Sequence, residues 1–292
     1  AELDALYITG WRGPVFFVDD NFIGNKAKLK KEILPAIAEW NEKRNHPFYF
    51  NTEASINLAD DDILLNLMVK AGFEAVFIGI ETPNEESLVE CNKTQNRNRD
   101  MIQSVKKIQM AGLEVQAGFI VGFDNDPYTI FDRLTSFIQE SGIVTAMVGL
   151  LNALKGTKLQ KRLLNEGRLL ADFTGNNTDF SINFIPRMNP TTLMDGYKKI
   201  VHTIYSPKYY YERVMRFMKD FEPKKKKVFH VNSNYILALF KSMFTLGLVG
   251  EERLYYWKVF MWSLFRKPQL FSLAILFTIY GFHFRKISNS IR

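Results

Sequence analysis

The sequence predicts an α/β fold, a partial (β/α) barrel of the TIM type followed by an α-helical C-terminal region. Two observations carry that expectation. Five short apolar runs rich in β-branched and aromatic residues alternate with helical segments, the pattern of parallel strands joined by right-handed crossovers. Each run closes on polar residues at its C-terminal end, the face on which a barrel carries its sites. An open doubly wound sheet competes for the same pattern. No Gly-x-Gly-x-x-Gly follows the first run, so its dinucleotide-binding version lacks a signature.

Glu2-Leu3-Asp4-Ala5-Leu6 reads as the tail of a helix entered midway, and with Ala1 rather than Met at the start the chain looks like a piece of a longer protein. Gly10 to Pro14 turns into the first strand, Val15 to Val18, closed by Asp19, Asp20 and Asn21. Leu29, Ile33, Ile37 and Trp40 recur at helical spacing, which predicts a basic amphipathic helix from Lys26 to Arg44. Phe48-Tyr49-Phe50 is the second strand and runs into Asn51, Thr52 and Glu53. Asp60 is the expected N-cap of a helix over 61–71, with Asp61 and Asp62 in its first turn and Gly72 at its end. Ala75 to Ile80 is the third strand, and it delivers one carboxylate, Glu81, just before Pro83.

A short helix follows Pro83 and a longer one spans Arg99 to Ala111, closed by Gly112. Between them, Arg97 and Arg99 in the polar loop Asn92 to Asp100 read as solvated. Glu114 to Val121 is the fourth strand, whose Gly118 and Gly122 permit close approach of a ligand or another backbone. A helix from Pro127 to Glu140 leads to the fifth strand, Val144 to Leu151, which ends at Asn152. Gly156 and Thr157 open one more helix.

Residues 1–170 are thus the barrel portion, 171–222 a linking segment with helices across the barrel, and 223–292 the helical region. Thr174-Gly175-Asn176-Asn177 reads as a turn, and Arg187 reaches either an anionic group or a surface ion-pair partner. Helices are expected from Pro190 to Tyr205, from Ser206-Pro207 to Phe221, and over 234–248, 251–265 and 268–284. The last holds the most continuous apolar run, Leu270 to Phe282, shorter than the roughly 20 residues that span a bilayer. A buried bundle is the default here. Interfacial helices are the sharper alternative, because Trp257, Trp262, Tyr255, Tyr256 and Tyr280 lie among Lys and Arg.

With 47% apolar and 14% aromatic residues, the 292-residue chain is no disordered polymer, and a sizeable core is expected. Much of the net charge of +7 sits in Lys224–Lys227 and at the C-terminus, a distribution of solvated faces that predicts no nucleic-acid partner. A single cysteine, Cys91, excludes a disulfide framework and any cysteine-based metal site made by this chain alone, and fits a reducing, cytoplasmic setting. The four histidines are scattered, so no metal ligand and no catalytic acid–base pair is assigned.

Five segments, Phe17-Val18-Asp19-Asp20-Asn21-Phe22, Thr52-Glu53-Ala54-Ser55-Ile56, Phe77-Ile78-Gly79-Ile80-Glu81-Thr82-Pro83, Gly118-Phe119-Ile120-Val121-Gly122-Phe123 and Asn152-Ala153-Leu154-Lys155-Gly156-Thr157-Lys158-Leu159, resemble in order and spacing the later strands of the radical S-adenosylmethionine (radical SAM) barrel. More narrowly they resemble the branch with an N-terminal cobalamin-binding domain, which includes the hopanoid methylases. The resemblance covers about Leu3 to Leu170, and the tail resembles the C-terminal extension of that branch.

The resemblance implies positions for S-adenosylmethionine. Asp19, Asp20 and Asn21 stand at the strand end that meets its amino-acid part, in place of the family's usual Gly-Gly-Glu, and Glu53 closes the neighbouring strand. Glu81 stands where the ribose hydroxyls are held, a role that suits a carboxylate acceptor. Gly118, Ile120 and Gly122 match the Gly-x-Ile-x-Gly segment beside the adenine, with Asn125 where an acidic residue is frequent. Leu151 and Asn152 offer backbone groups to the adenine edge. Blander readings stay open: Asp19 to Asn21 as cap and turn, Glu53 as an ion-pair partner, Glu81 as a turn residue, and the glycines as packing.

The family's Cys-x-x-x-Cys-x-x-Cys loop is absent from this sequence, and a 4Fe–4S cluster takes its thiolates there. The resemblance therefore implies a fragment, inactive alone. Its complete protein would hold the 4Fe–4S cluster and cobalamin, draw on an electron donor, and generate a 5′-deoxyadenosyl radical for methylation or related modification of an unactivated carbon of a small, lipid-like substrate. The alternative is a non-catalytic, membrane-peripheral binding module on a degenerate barrel, touching the membrane through its C-terminal helices.

Overall fold

Strands β1 (Gly13–Phe17), β2 (Phe48–Glu53), β3 (Phe73–Glu81), β4 (Glu114–Val121) and β5 (Ala146–Leu150) are parallel and pair in chain order. A sheet in which each strand lies beside its predecessor, with no reversal of order, is a half-barrel and not a doubly wound sheet. The computed structural model describes residues 1–172, 181–223 and 233–291. The predicted turn at Thr174 to Asn177 and the lysine run Lys224–Lys227 lie outside these residues.

Alternation sorts the two faces of the sheet. On β2, Phe48, Phe50 and Thr52 are buried under the helices, while Tyr49, Asn51 and Glu53 are half-buried on the concave side. Register carries this side across the sheet: Glu53 lies beside Phe77 and Phe77 beside Gln116, and one pleat further Gly79 lies beside Gly118 and Gly118 beside Met147.

After α1 (Glu2–Ile8), the first crossover is α2 (Lys26–Lys28), a π turn (Leu29–Ile33) and α3 (Leu34–Lys43), which bury Leu29, Leu34 and Ile37. Helix α4 (Asp62–Ala71) is capped by Asp61, whose carboxylate accepts from the Leu64 N–H at 3.0 Å, and not by Asp60 as expected. The reason is a 3-10 turn (Ile56–Asp60) that absorbs Asp60 and turns it toward Arg99. Gly72 ends α4 with φ of +107°; a Cβ there would also stand 2.7 Å from the Asn41 amide. Helices α5 (Glu85–Glu90), α6 (Met101–Met110), α7 (Ile130–Ser141) and α8 (Lys158–Asn165) complete the barrel portion.

Helices α9 (Pro190–Tyr205) and α10 (Pro207–Asp220) each place a proline in the first turn, where its missing N–H costs nothing. The Tyr205 hydroxyl donates to the Ala146 carbonyl of β5 at 2.6 Å. Buried Arg213 of α10 donates to the carbonyls of Ile204 (2.9 Å) and Val144 (3.4 Å) and to Gln139 of α7 (2.5 Å).

The last elements are α11 (Ser233–Phe244) with a π turn (Thr245–Val249), α12 (Arg253–Arg266), and α13 (Phe271–Ser290) after a 3-10 turn (Pro268–Leu270). The helical stretch Pro268–Ser290 outlasts the apolar run seen in the sequence and is, by length and composition only, sufficient to cross a membrane. Ala274, Phe277, Thr278 and Gly281 are nevertheless buried in the protein. The Tyr210 hydroxyl donates to the Phe277 carbonyl at 2.7 Å, and Gly281 leaves the room that the Tyr210 ring fills. Phe277, fully buried, contributes about 2 kcal/mol by transfer alone.

Candidate functional site

At the end of β3 the pairing register shifts between Gly79 and Glu81, and Glu81 adopts φ of +66°. For a residue with a side chain that conformation costs roughly 1–2 kcal/mol. Asn96 holds it in place. Fully buried, it donates from its amide to the carbonyls of Gly79 (3.1 Å) and Ile80 (3.0 Å). The Glu81 carboxylate comes to lie over Gly79, where it pairs with the Lys93 ammonium at 2.8 Å.

Beneath that pair, β3 and β4 present glycines side by side. A Cβ on Gly79 would stand 2.5 Å from Glu81 Oε1 and 2.9 Å from Lys93 Nζ, and one on Gly118 would stand 3.1 Å from the Phe77 ring. On β5, Gly149 has nothing within 4 Å of where a Cβ would be. Gly79 and Gly118 thus form a shelf at backbone level on two neighbouring strands, over which the Glu81 and Lys93 ends and the Phe77 ring lie, and Gly149 stands one pleat further along on β5.

The end of β4 is built around Asp126, whose carboxylate accepts from the N–H groups of Gly122 (2.9 Å) and Phe123 (3.1 Å) and from the Ser87 hydroxyl (2.7 Å). Burial pushes its carboxyl up, and these hydrogen bonds oppose the rise. Gly122 has φ of +107°. Asn125, at the position where the resemblance places an acid, donates to Glu90 at 3.1 Å.

Next to it, Asp124 gathers three arginines. Arg168 binds it with both terminal nitrogens (2.6 and 2.9 Å), Arg162 at 2.9 Å and Arg187 at 3.6 Å. Burial raises the Asp124 carboxyl, and the hydrogen bonds and charge of Arg168 outweigh it and hold the pKa low. Arg187 therefore serves an ion pair.

At the end of β5 the Leu151 N–H donates to the Val121 carbonyl at 2.9 Å. The Asn152 amide donates to Ser181 (3.0 Å) and its oxygen accepts from the Asn183 N–H (3.1 Å), so residues 181–188 are strapped to the rim. At the β1 end Asp19 and Asp20 are exposed and make no ion pair among the described residues, while Asn21 accepts from Ser55 N–H at 3.1 Å. Glu53 is half-buried on the concave side with no partner among the described residues.

The structure therefore brings Glu53, Glu81, Gly118 and Ile120 onto one side of the sheet and Gly122, Leu151 and Asn152 onto its rim, with Asp19, Asp20 and Asn21 at the β1 edge. Sequence reasoning missed Lys93, Asn96, Asp126 and Asn183. Lys93 and Asn96 sit in the same polar loop as Arg97 and Arg99, which read as solvated in the sequence; Arg99 forks onto Asp60 (2.6 and 2.8 Å) and Arg97 reaches Glu85 at 4.0 Å.

Glycine shelf and carboxylate fit S-adenosylmethionine. The cluster finds no such fit. Burial first, then the Glu81 charge, pushes the Cys91 thiol up, away from the thiolate form that metals bind. Among the described residues no group of three His, Cys, Asp or Glu is placed to hold a metal ion.

An uncharacterized methyltransferase of Synechocystis sp. is 40% identical over 294 residues, covering 100% of this chain and 55% of that protein. Hopanoid C-2 methylase of Rhodopseudomonas palustris is 31% identical over 272 residues, 91% of this chain and 50% of that protein. The chain is a homologue of the cobalamin-branch radical SAM methylases. This radical SAM homologue spans about half the length of the curated relatives it matches. Its residues 157–292 match a family described as a domain of unknown function, DUF4070. The radical S-adenosylmethionine methyltransferase TsrM of Kitasatospora setae, solved with cobalamin and a 4Fe–4S cluster bound, shares the fold, with a TM-score of 0.53 over 97% of this chain and 55% of that one at 11% identity. A non-catalytic module on a degenerate barrel finds no support among these relatives.

Proposed function

We propose that this radical SAM homologue supplies the S-adenosylmethionine-binding half-barrel of a cobalamin-dependent methylase that modifies an unactivated carbon of a small, lipid-like molecule. The observation that carries the reading is the Glu81 carboxylate held at φ of +66° over the shelf of Gly79 and Gly118. When bound, S-adenosylmethionine together with the cluster and cobalamin supplies the radical and methyl chemistry. This chain's part is to bind and to orient. The two oxygens of Glu81 suit the two ribose hydroxyls, in exchange for the Lys93 contact. Gly118, Ile120 and Gly122 let a planar base lie at backbone level, and the Leu151 carbonyl and Asn152 border its edge. Asp19, Asp20, Asn21 and Glu53 supply acceptors for the ligand's ammonium group.

A hopanoid methylase among the relatives supports a polycyclic lipid as the substrate class. A cytoplasmic setting, an electron donor for the cluster, and peripheral membrane contact through the C-terminal helices belong to the same proposal. The test is equilibrium binding of S-adenosylmethionine to the full-length protein and its Glu81→Ala variant. Loss of hydrogen bonds to a charged acceptor weakens binding by about 10- to 100-fold; unchanged affinity removes the ribose assignment.

A further inference from the structure

The outward sides of α11 and α12 are apolar where no described residue covers them. On α11 and its π turn, Phe240, Phe244 and Leu248 follow one another at helical spacing and are exposed, whereas Ser242 and Leu246 on the other side are buried. Helix α12 repeats the arrangement, with Leu254, Met261 and Phe265 outward and Tyr256, Val259 and Ser263 inward. Phe240 is 62% exposed and Phe265 76%. Large side chains set in stripes, and not scattered singly, mark an interaction surface.

Charge decides what the surface meets. From 223 to 292 the sequence has twelve Lys and Arg against two acidic residues, Glu251 and Glu252, while the rest of the chain is net acidic. Glu252 is buried and paired with Arg285, so it neutralises nothing outside. Lys241, Arg253, Lys258 and Arg266 are exposed on the same two helices and make no ion pair among the described residues. Half-buried Trp257 and Trp262 accompany them, the residue type that settles at the headgroup level.

We propose that the apolar stripes of α11 and α12 rest on the headgroup boundary of a bilayer rich in anionic lipid, with the flanking lysines and arginines against its phosphates. The contact is peripheral. Helix α13, the one helix of spanning length among the described residues, packs one flank against the protein, where Tyr210 bonds its Phe277 carbonyl. The inference rests on the reading of the chain as part of an enzyme for a lipid-like substrate, which such a contact would reach where it resides.

Vesicle co-sedimentation of the full-length protein tests it, with phosphatidylcholine alone and with phosphatidylglycerol added. Binding at low salt is expected to be about tenfold tighter to the anionic vesicles and to fall as salt is raised. Phe240→Ser with Phe244→Ser, and separately Lys241→Glu with Lys258→Glu, are each expected to lower binding about tenfold or more while the melting temperature is kept. Failure to bind either vesicle, equal binding to both, or binding that neither variant alters overturns the proposal. A defined oligomer of the lipid-free protein that Phe240→Ser with Phe244→Ser dissociates would also overturn it, by assigning the face to a protein partner. Glu81→Ala is expected to bind vesicles like the parent, so the two readings fail separately.

Discussion

Arg168 closes on Asp124 with both terminal nitrogens, at 2.6 and 2.9 Å, around a carboxylate that is 3% exposed. The fork joins the end of β4 to the segment after α8, where the next residue, Leu169, bridges Phe184 of the rim strap. Asp124→Asn is expected to lower stability by about 3 kcal/mol at neutral pH, since it removes the buried counter-charge shared by Arg168 and Arg162 and leaves Arg168 only the more exposed Glu166. The pKa of Asp124 is depressed on folding, so its contribution is present above the unfolded value near about 3.9 and is lost as pH falls through the lower folded value. Urea unfolding of parent and variant between neutral pH and pH ~3 should show the gap closing. A gap that persists in acid would contradict the pairing.

Asn96 touches no candidate ligand group, yet Asn96→Ala should weaken S-adenosylmethionine binding, because two carbonyls of the β3 bulge lose their donor and Glu81 its orientation. The expected stability loss is about 1–3 kcal/mol. Asn96→Asp should not restore binding, since a carboxylate donates no hydrogen bond. Binding titrations on both variants decide it: an Asp variant that behaves like the parent would show that the bulge stands without Asn96.

Gly79→Ala and Glu81→Gly separate room from charge. The first puts a methyl group where Glu81 and Lys93 meet and should cut S-adenosylmethionine affinity by about tenfold with a stability change below about 1 kcal/mol, the contacts being flexible side-chain ends. The second removes the carboxylate but relieves the positive φ, so it should melt above Glu81→Ala while binding no better. Calorimetry on the three variants gives the order. Glu81→Ala melting above Glu81→Gly would refute the strain at residue 81.

Arg213 is a fully buried cation with no carboxylate partner among the described residues, held by two carbonyls and Gln139 and lying near the rings of Tyr205 and Tyr210. Arg213→Ala should cost about 3 kcal/mol or more, from the cavity and from the acceptors left unpaired. Arg213→Met should recover part of that loss by filling the space. Chemical denaturation that ranks Met no better than Ala would mean that the charge and not the packing matters.

The strand frame was legible because β4 alternates cleanly from Glu114 to Val121 and because each apolar run ends in polar residues. Glu81 and Gly118 followed from their places on that frame. Lys93 and Asn96 did not, since their roles depend on a bulge, and glutamate is not a residue type that announces positive φ. The α4 cap slipped by one residue because Asp60, Asp61 and Asp62 are equally good candidates until a 3-10 turn uses the first. The length of α13 was hidden because its polar end, with His283, Arg285 and Lys286, continues the helix past the apolar run.

The contact of Tyr210 with Phe277 and Gly281 bears on how the chain comes apart. Tyr205 is bonded to β5, Tyr210 follows at the start of the next helix, and α13 lies against it, so no cleavage point near residue 223 separates two self-sufficient pieces. A tail cut free there would carry the naked flank of α13 into water, and the barrel left behind would lose the cover over α10. Heat or denaturant should accordingly release both in a single cooperative step, and truncation would yield aggregation where modularity might have been hoped for.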